Sequence, residues 1–232
     1  MTTTIVWIAL AVVIDGAVGL SGAIVPDGWL QRHRMDMLGF AVGALVATAV
    51  LDLIPTSYAK TGMMAFAWMA VGVAALVAVE LALSRWRGSR RAGLPYALLG
   101  SDAVHNFGDG MAIAAAFLIS SRLGVVTAAA VIVHEVPEEI ADYAVLRAAG
   151  LRKRWSLAWL AGVQLTAALG AALVIVGATE LGIEGPALAV GASTFLYIAL
   201  VDLLPDVVRA SHQGRSPLGW LGAGIVVMAL LS

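Results

Sequence analysis

Residues 101–117 read SDAVHNFGDGMAIAAAF, and residues 131–146 read VIVHEVPEEIADYAVL. Each stretch sits in apolar sequence, yet each has ionisable side chains at its centre. In the first, His105 and Asp109 are four residues apart and share one helix face, with Asn106 on its flank. In the second, His134 and Glu138 repeat that spacing, with Glu135 on the flank. Gly108 and Pro137 interrupt the two patterns; the proline frees the carbonyl of Val133.

The surroundings say where these residues must live. The chain has 232 residues, of which 61% are hydrophobic and 12% charged, and its mean hydropathy is +0.93. A soluble domain carries about 25% charged residues. A chain this apolar is an integral membrane protein. The same numbers exclude a disordered chain and a basic nucleic-acid binder, and the lack of cysteine excludes a disulfide scaffold and thiolate metal sites.

Eight apolar spans are expected, at about 4–25, 36–56, 63–84, 95–120, 123–146, 156–178, 185–206 and 217–232. Residues 4–25 have no basic leader and contain Asp15, so they read as a first span rather than a signal peptide. No connecting loop is long enough to fold separately, so 1–232 reads as one transmembrane domain. Of the 14 Lys and Arg, 12 fall in alternate loops: Arg32 and Arg34; Arg85, Arg87, Arg90 and Arg91; Arg147, Arg152, Lys153 and Arg154; Arg209 and Arg215. The positive-inside rule makes those loops cytoplasmic and puts both termini outside. Leu51-Asp52-Leu53-Ile54-Pro55 and Val201-Asp202-Leu203-Leu204-Pro205 echo each other in spans of opposite direction, as inverted repeats of transporters do.

Insertion of an ionisable group at a helix centre costs about 2.5–3.5 kcal/mol. His105, Asp109, His134, Glu135 and Glu138 facing lipid would together cost more than ~12 kcal/mol on that scale. They must face the bundle interior, and a divalent cation is the simplest compensating partner. Both histidines fall near mid-membrane, because ten residues of helix rise ~15 Å. Two imidazoles, three carboxylates and an amide suffice for two adjacent ions bridged by carboxylates.

The run His105-Asn106-Phe107-Gly108-Asp109-Gly110, followed by His134-Glu135-Val136-Pro137-Glu138-Glu139, resembles the paired motifs of the ZIP (Zrt-, Irt-like) divalent-metal transporters. The nearest pattern is the subgroup with HNFxDG and HExPHE. The likeness extends from about 95 to 206, through Glu139–Leu146 and Phe195–Pro205. The resemblance implies an all-α polytopic membrane protein of eight transmembrane helices in a 3+2+3 arrangement with an inverted repeat and both termini outside. Spans 1, 4, 5 and 6 would move against a scaffold of 2, 3, 7 and 8, as a homodimer. It also implies a binuclear site, with His105, Asp109, His134 and Glu138 on one ion and Asn106, Asp109, Glu135, Glu138 and Gln164 on the other. Gln164 stands where several relatives carry Glu, and Glu138 where the subgroup has His. The His-rich cytoplasmic loop is absent, since residues 84–94 carry Arg instead.

The expected function is transport of Zn²⁺ toward the cytoplasm, with Fe²⁺, Mn²⁺ or Cd²⁺ as alternative substrates; imidazole and carboxylate ligands without thiolate disfavour Cu⁺. The partners are the lipid bilayer, divalent ions and a second copy, with no nucleic acid; the location is a plasma membrane, read as a bacterial inner membrane. The competing reading is a membrane-embedded metalloenzyme, a hydrolase or an oxygenase. Against it, the zinc-protease helix H-E-x-x-H needs His where this chain has Glu138, and neither span holds the Glu-x-x-His pair of di-iron enzymes. Asp15 reads as pathway lining or a structural hydrogen-bond partner. Asp102 and Asp142, one turn from His105 and Glu138, read either as orienting groups or as guides for ions toward the cytoplasm. Asp52 and Asp202 read as helix-end partners of Ser or Arg, with exit-path ligands as the alternative, and Glu80 as a snorkelling side chain.

Overall fold

The structure is a computed structural model that describes residues 2–20, 27–87, 94–212 and 217–232. Those residues are helical almost throughout, and none of them forms a strand. The helices are α1 (Thr2–Gly19), α2 (Asp27–Thr48), α3 (Ile54–Thr61), α4 (Met64–Arg87), α5 (Leu94–Ile119), α6 (Ser121–Ala148), α7 (Lys153–Leu181), α8 (Glu184–Tyr197), α9 (Leu204–His212) and α10 (Pro217–Leu231). Among the described residues, five stretches are long and apolar enough to cross a membrane: Thr2–Gly19, Arg32–Thr61, Met64–Leu83, Lys153–Leu181 and Glu184–His212. α5 and α6 are long enough, but the polar residues at their centres break the apolar run.

The helices overrun the boundaries that hydropathy sets. The stretch 26–36 was expected to be a connection, yet α2 begins at Asp27. Residues 56–62 were expected to be another, yet α3 runs to Thr61 and stops at Gly62, whose φ of 59° ends the helix. Helix is the cheapest way to satisfy backbone amides near a bilayer, so it persists past the last apolar residue until a specific stop intervenes. One such stop is Ser120, whose hydroxyl accepts the amide of Leu123 at 3.1 Å and caps α6. Of the connections expected at 84–93 and 209–217, residues 84–87 and 209–212 continue the preceding helices, and 88–93 and 213–216 lie outside the described residues.

The sequence echo has a structural counterpart. A π turn, Ala49–Leu53, joins α2 to α3, and a second, Ile198–Leu203, joins α8 to α9. In each the closing amide, of Ile54 or Leu204, reaches back five residues to the carbonyl of Ala49 or Ala199. The cause is local. Pro55 and Pro205 lack the amide that would have bonded four residues back, so the backbone widens by one residue and continues.

Close backbone approaches hold the bundle together. A Cβ at Gly110 would fall on the carbonyl oxygen of Ala167, and one at Gly170 on the carbonyl oxygen of Phe107. α5 and α7 therefore cross with their backbones in contact, which is how small residues act in membrane bundles. Thr166 ties the crossing by donating to the carbonyl of Ala103 at 2.7 Å. α2 and α10 make a second such crossing through Gly43 and Gly224. On α7 the outer stripe Leu165, Leu169, Leu173 and Val176 is at least half exposed, whereas Gln164, Ala167, Gly170 and Val174 are buried. Apolar side chains line the outside and polar ones the inside, as lipid requires.

Replacing Gly110 or Gly170 by Val is expected to cost about 2–3 kcal/mol through overpacking, because each Cβ meets backbone that cannot give way. Thermal unfolding followed by size-exclusion chromatography in detergent reads this, and an unchanged midpoint for both variants would refute the close crossing.

Candidate metal centre

α5 and α6 are consecutive and joined at Ser120, so they run antiparallel and bring their polar turns to one level. His105, Asp109, His134 and Glu135 each offer one donor atom, and these atoms all lie within 4.8 Å of one another. The separations among three of them are specific. His105 Nε2 is 3.1 Å from His134 Nε2. Asp109 Oδ2 is 3.6 Å from the first nitrogen and 3.4 Å from the second. Ligands about 2.0–2.1 Å from a tetrahedral zinc stand about 3.3 Å apart, so these atoms already form one face of such a coordination shell. The two rings stack at 17° with centroids 5.2 Å apart.

The ring of His134 is fixed from behind. Its Nδ1 is 3.1 Å from the carbonyl of Ala130, an acceptor, so Nδ1 carries the proton. The neutral ring then presents its Nε2 lone pair to the cluster, as outer hydrogen bonds do for metal-bound histidines. Phe195 packs against the ring at 6.2 Å.

The remaining residues take different places. Glu138 stands outside that foursome, with its Oε1 3.4 Å from His105 Nδ1 and its side chain 26% exposed. Asn106 is buried and donates to both the carbonyl and the carboxylate of Asp102, at 3.2 and 2.8 Å. Its own Oδ1 has no partner. Gln164 is buried on α7 and donates to Glu135 at 3.1 Å and also to Glu139. Glu139 thus joins the network, although the sequence reading gave it no role. Its adjacency to Glu138 hid it, because only the packing of α7 shows which of two neighbouring glutamates turns inward. Asp102 and Asp142 are both buried at one end of this network. Outside it, Glu80 accepts the Tyr197 hydroxyl at 2.7 Å, and Asp52 accepts that of Ser232 at 2.6 Å, a helix-end pairing of the expected kind.

The chemistry of the unsatisfied atoms decides what the cluster takes up. Both oxygens of Asp109, Oδ1 of Asn106, Oε1 of Gln164 and one oxygen each of Asp102, Glu138 and Glu139 are buried without a hydrogen-bond partner. All are acceptors, and buried acceptors left unpaired cost roughly 1–3 kcal/mol each. An interior this rich in lone pairs and poor in protons is built for a cation.

These features define a class: a helical bundle, apolar outside, that encloses an imidazole and carboxylate site for a divalent ion. Residues 89–232 match the family model described as ZIP zinc transporter. The chain is 34% identical over 222 residues to zinc transporter ZIP13 of Pongo abelii, covering 86% of this chain and 67% of that one. It is 43% identical over 129 residues to human zinc transporter ZIP4, of which it spans 19%. It is 37% identical over 151 residues to zinc transporter SLC39A7 of Pongo abelii, of which it spans 31%. The chain belongs to the ZIP zinc transporter family. That is a family of transporters, not of enzymes, which removes the metalloenzyme reading.

Acid is expected to weaken zinc binding, because the metal needs neutral imidazoles and protons compete for the same lone pairs. Binding at pH 5.5 should be at least tenfold weaker than at pH 7.5. Titration calorimetry checks it; an affinity flat across that range would exclude both histidines as ligands.

Proposed function

We propose that this chain carries divalent transition-metal ions, Zn²⁺ foremost, across a membrane toward the cytoplasm. The observation that carries the reading is the triangle of His105 Nε2, His134 Nε2 and Asp109 Oδ2. Its edges suit a zinc ion, and its donors are the nitrogen and oxygen types that Zn²⁺ accepts. Membership of the ZIP family and the names of its relatives support the same substrate. Fe²⁺, Mn²⁺ and Cd²⁺ share enough of this chemistry to compete.

The reading extends to the whole chain. Residues 1–232 form one transporter domain that crosses the bilayer eight times, with both termini outside and the Arg-rich connections in the cytoplasm. The matched π turns support the inverted repeat, and the alternation of Lys and Arg supports the orientation. The location is a plasma membrane, and in a bacterium the inner one. The protein works as a homodimer.

The site is binuclear. His105, Asp109 and His134 hold the first ion, and Glu138 completes its shell by turning from the Nδ1 edge of His105. Asn106, Asp109, Glu135, Glu138 and Gln164 surround the second position. Its donors are oxygens, so it holds its ion less tightly than the imidazole site. Gln164 contributes only an amide, and in the metal-free arrangement its NH₂ group bridges Glu135 and Glu139. Passage then follows from weak, successive coordination: an ion enters the nitrogen-rich position and leaves along the carboxylates of Glu139, Asp142 and Asp102.

In sealed proteoliposomes, His105→Ala and Glu138→Ala should each abolish saturable zinc uptake while both proteins elute as folded species. Uptake kinetics unchanged in both variants would defeat the assignment. Zinc that binds the protein but never crosses the vesicle membrane would defeat transport itself.

A further inference from the structure

α1 presents a narrow buried stripe, Ile8, Ala11, Asp15 and Gly19, to the rest of the bundle, while Val13 and Ile14 are at least half exposed. An aspartate in that stripe is unexpected, because the other three residues are apolar or small. Asp15 is 0% exposed, and neither of its oxygens has a hydrogen-bond partner.

The surroundings of Asp15 explain why. α1 lies against α7 at Gln164: a Cβ at Gly16 would sit 3.6 Å from the Gln164 Cβ, and one at Gly19 would overlap its amide nitrogen. Asp15 is one turn before Gly19 on the same face, and its carboxylate is within electrostatic reach of Glu135, Asp109 and His134. The donors nearby are already committed. The Gln164 NH₂ serves Glu135 and Glu139, and His134 Nδ1 serves the carbonyl of Ala130. An ionised carboxylate without donors, in a membrane interior, costs several kcal/mol unless a cation meets it.

We propose that Asp15 is a metal ligand, a carboxylate that the first helix supplies to the oxygen-rich ion position beside Glu135 and Asp109. Asp15 lies outside both paired motifs, 90 residues before His105 in number, and only the packing of α1 on α6 and α7 joins it to them. The chemical class of the ligand is a divalent cation that accepts carboxylate oxygen. The proposal rests on the metal-site reading above and adds a fourth helix to it. It also gives Gly19 a role, since a side chain there would overlap the Gln164 amide and force it or α1 to shift.

The test is equilibrium zinc binding by the purified, metal-stripped full chain in detergent, with five proteins compared: the unmodified chain, Asp15→Asn, Gln164→Glu, the Asp15→Asn/Gln164→Glu pair and His105→Ala. Asp15→Asn nearly preserves shape, removes the charge and should weaken zinc binding at least tenfold. Adding Gln164→Glu to it returns a carboxylate to the same space and should recover most of the loss. Binding by Asp15→Asn within twofold of the unmodified chain overturns the proposal, as does a loss that Gln164→Glu leaves unrepaired. Anomalous diffraction from zinc-soaked crystals of the unmodified chain asks the same question without a variant. A zinc peak about 2.0–2.2 Å from an Asp15 oxygen supports the ligand, and peaks confined to the His105–His134 pair overturn it. The His105→Ala arm separates the two readings. If it binds as the unmodified chain does, the metal site itself is refuted; if it loses zinc while Asp15→Asn does not, only the role of Asp15 is.

Discussion

The structure depends on an imbalance between acceptors and donors at the centre of a membrane bundle. Carboxylates and amide oxygens from several helices converge where water and lipid are both excluded, and the protons available cannot satisfy them. A soluble protein would hydrate such groups or pair them with Lys or Arg. Here the described Lys and Arg lie toward the helix ends, kept there by the cost of burying them in hydrocarbon. A mobile dication is the partner that remains, and because it is not covalently part of the protein it can also leave. The instability of the empty site is thus inseparable from transport.

Holding such a centre requires backbone precision that long side chains could not supply. The crossing of α5 and α7 through Gly110 and Gly170 puts helix axis against helix axis beside the HNFGDG turn. That crossing brings Gln164 to Glu135 and Glu139. Pro137 frees the carbonyl of Val133, directly before His134, without ending α6. The π turns before Pro55 and Pro205 shift the register of two other helices by one residue each. In each case a residue chosen for its backbone, glycine or proline, decides where a donor atom on a neighbouring residue ends up.

Much of the site was legible in the chain because helix spacing is short-range. The i, i+4 pairs His105/Asp109 and His134/Glu138 fix which residues of one helix share a face, and the structure gathers His105, Asp109 and His134 accordingly. Sequence could not rank Glu135, Glu138 and Glu139 against each other. They are within one turn, and a rotation of α6 by a fraction of a turn exchanges their roles; packing against α7 settles that rotation. Helix ends were also misplaced, because hydropathy marks where lipid stops and not where the backbone stops being helical.

By itself the sequence determined that the chain is a membrane protein, that its polar turns on two neighbouring helices must meet, and that their chemistry suits a divalent metal. Those conclusions follow from composition, from the cost of burying charge and from a periodicity of 3.6 residues, all of which act within one helix. Only the tertiary structure decided that Gln164 spends its amide on two glutamates, that Glu138 meets the outer edge of His105, and that Asp15 from the far end of the chain faces the same centre. Contacts between helices depend on where small residues let backbones approach, and that is a property of the assembled bundle rather than of any one segment.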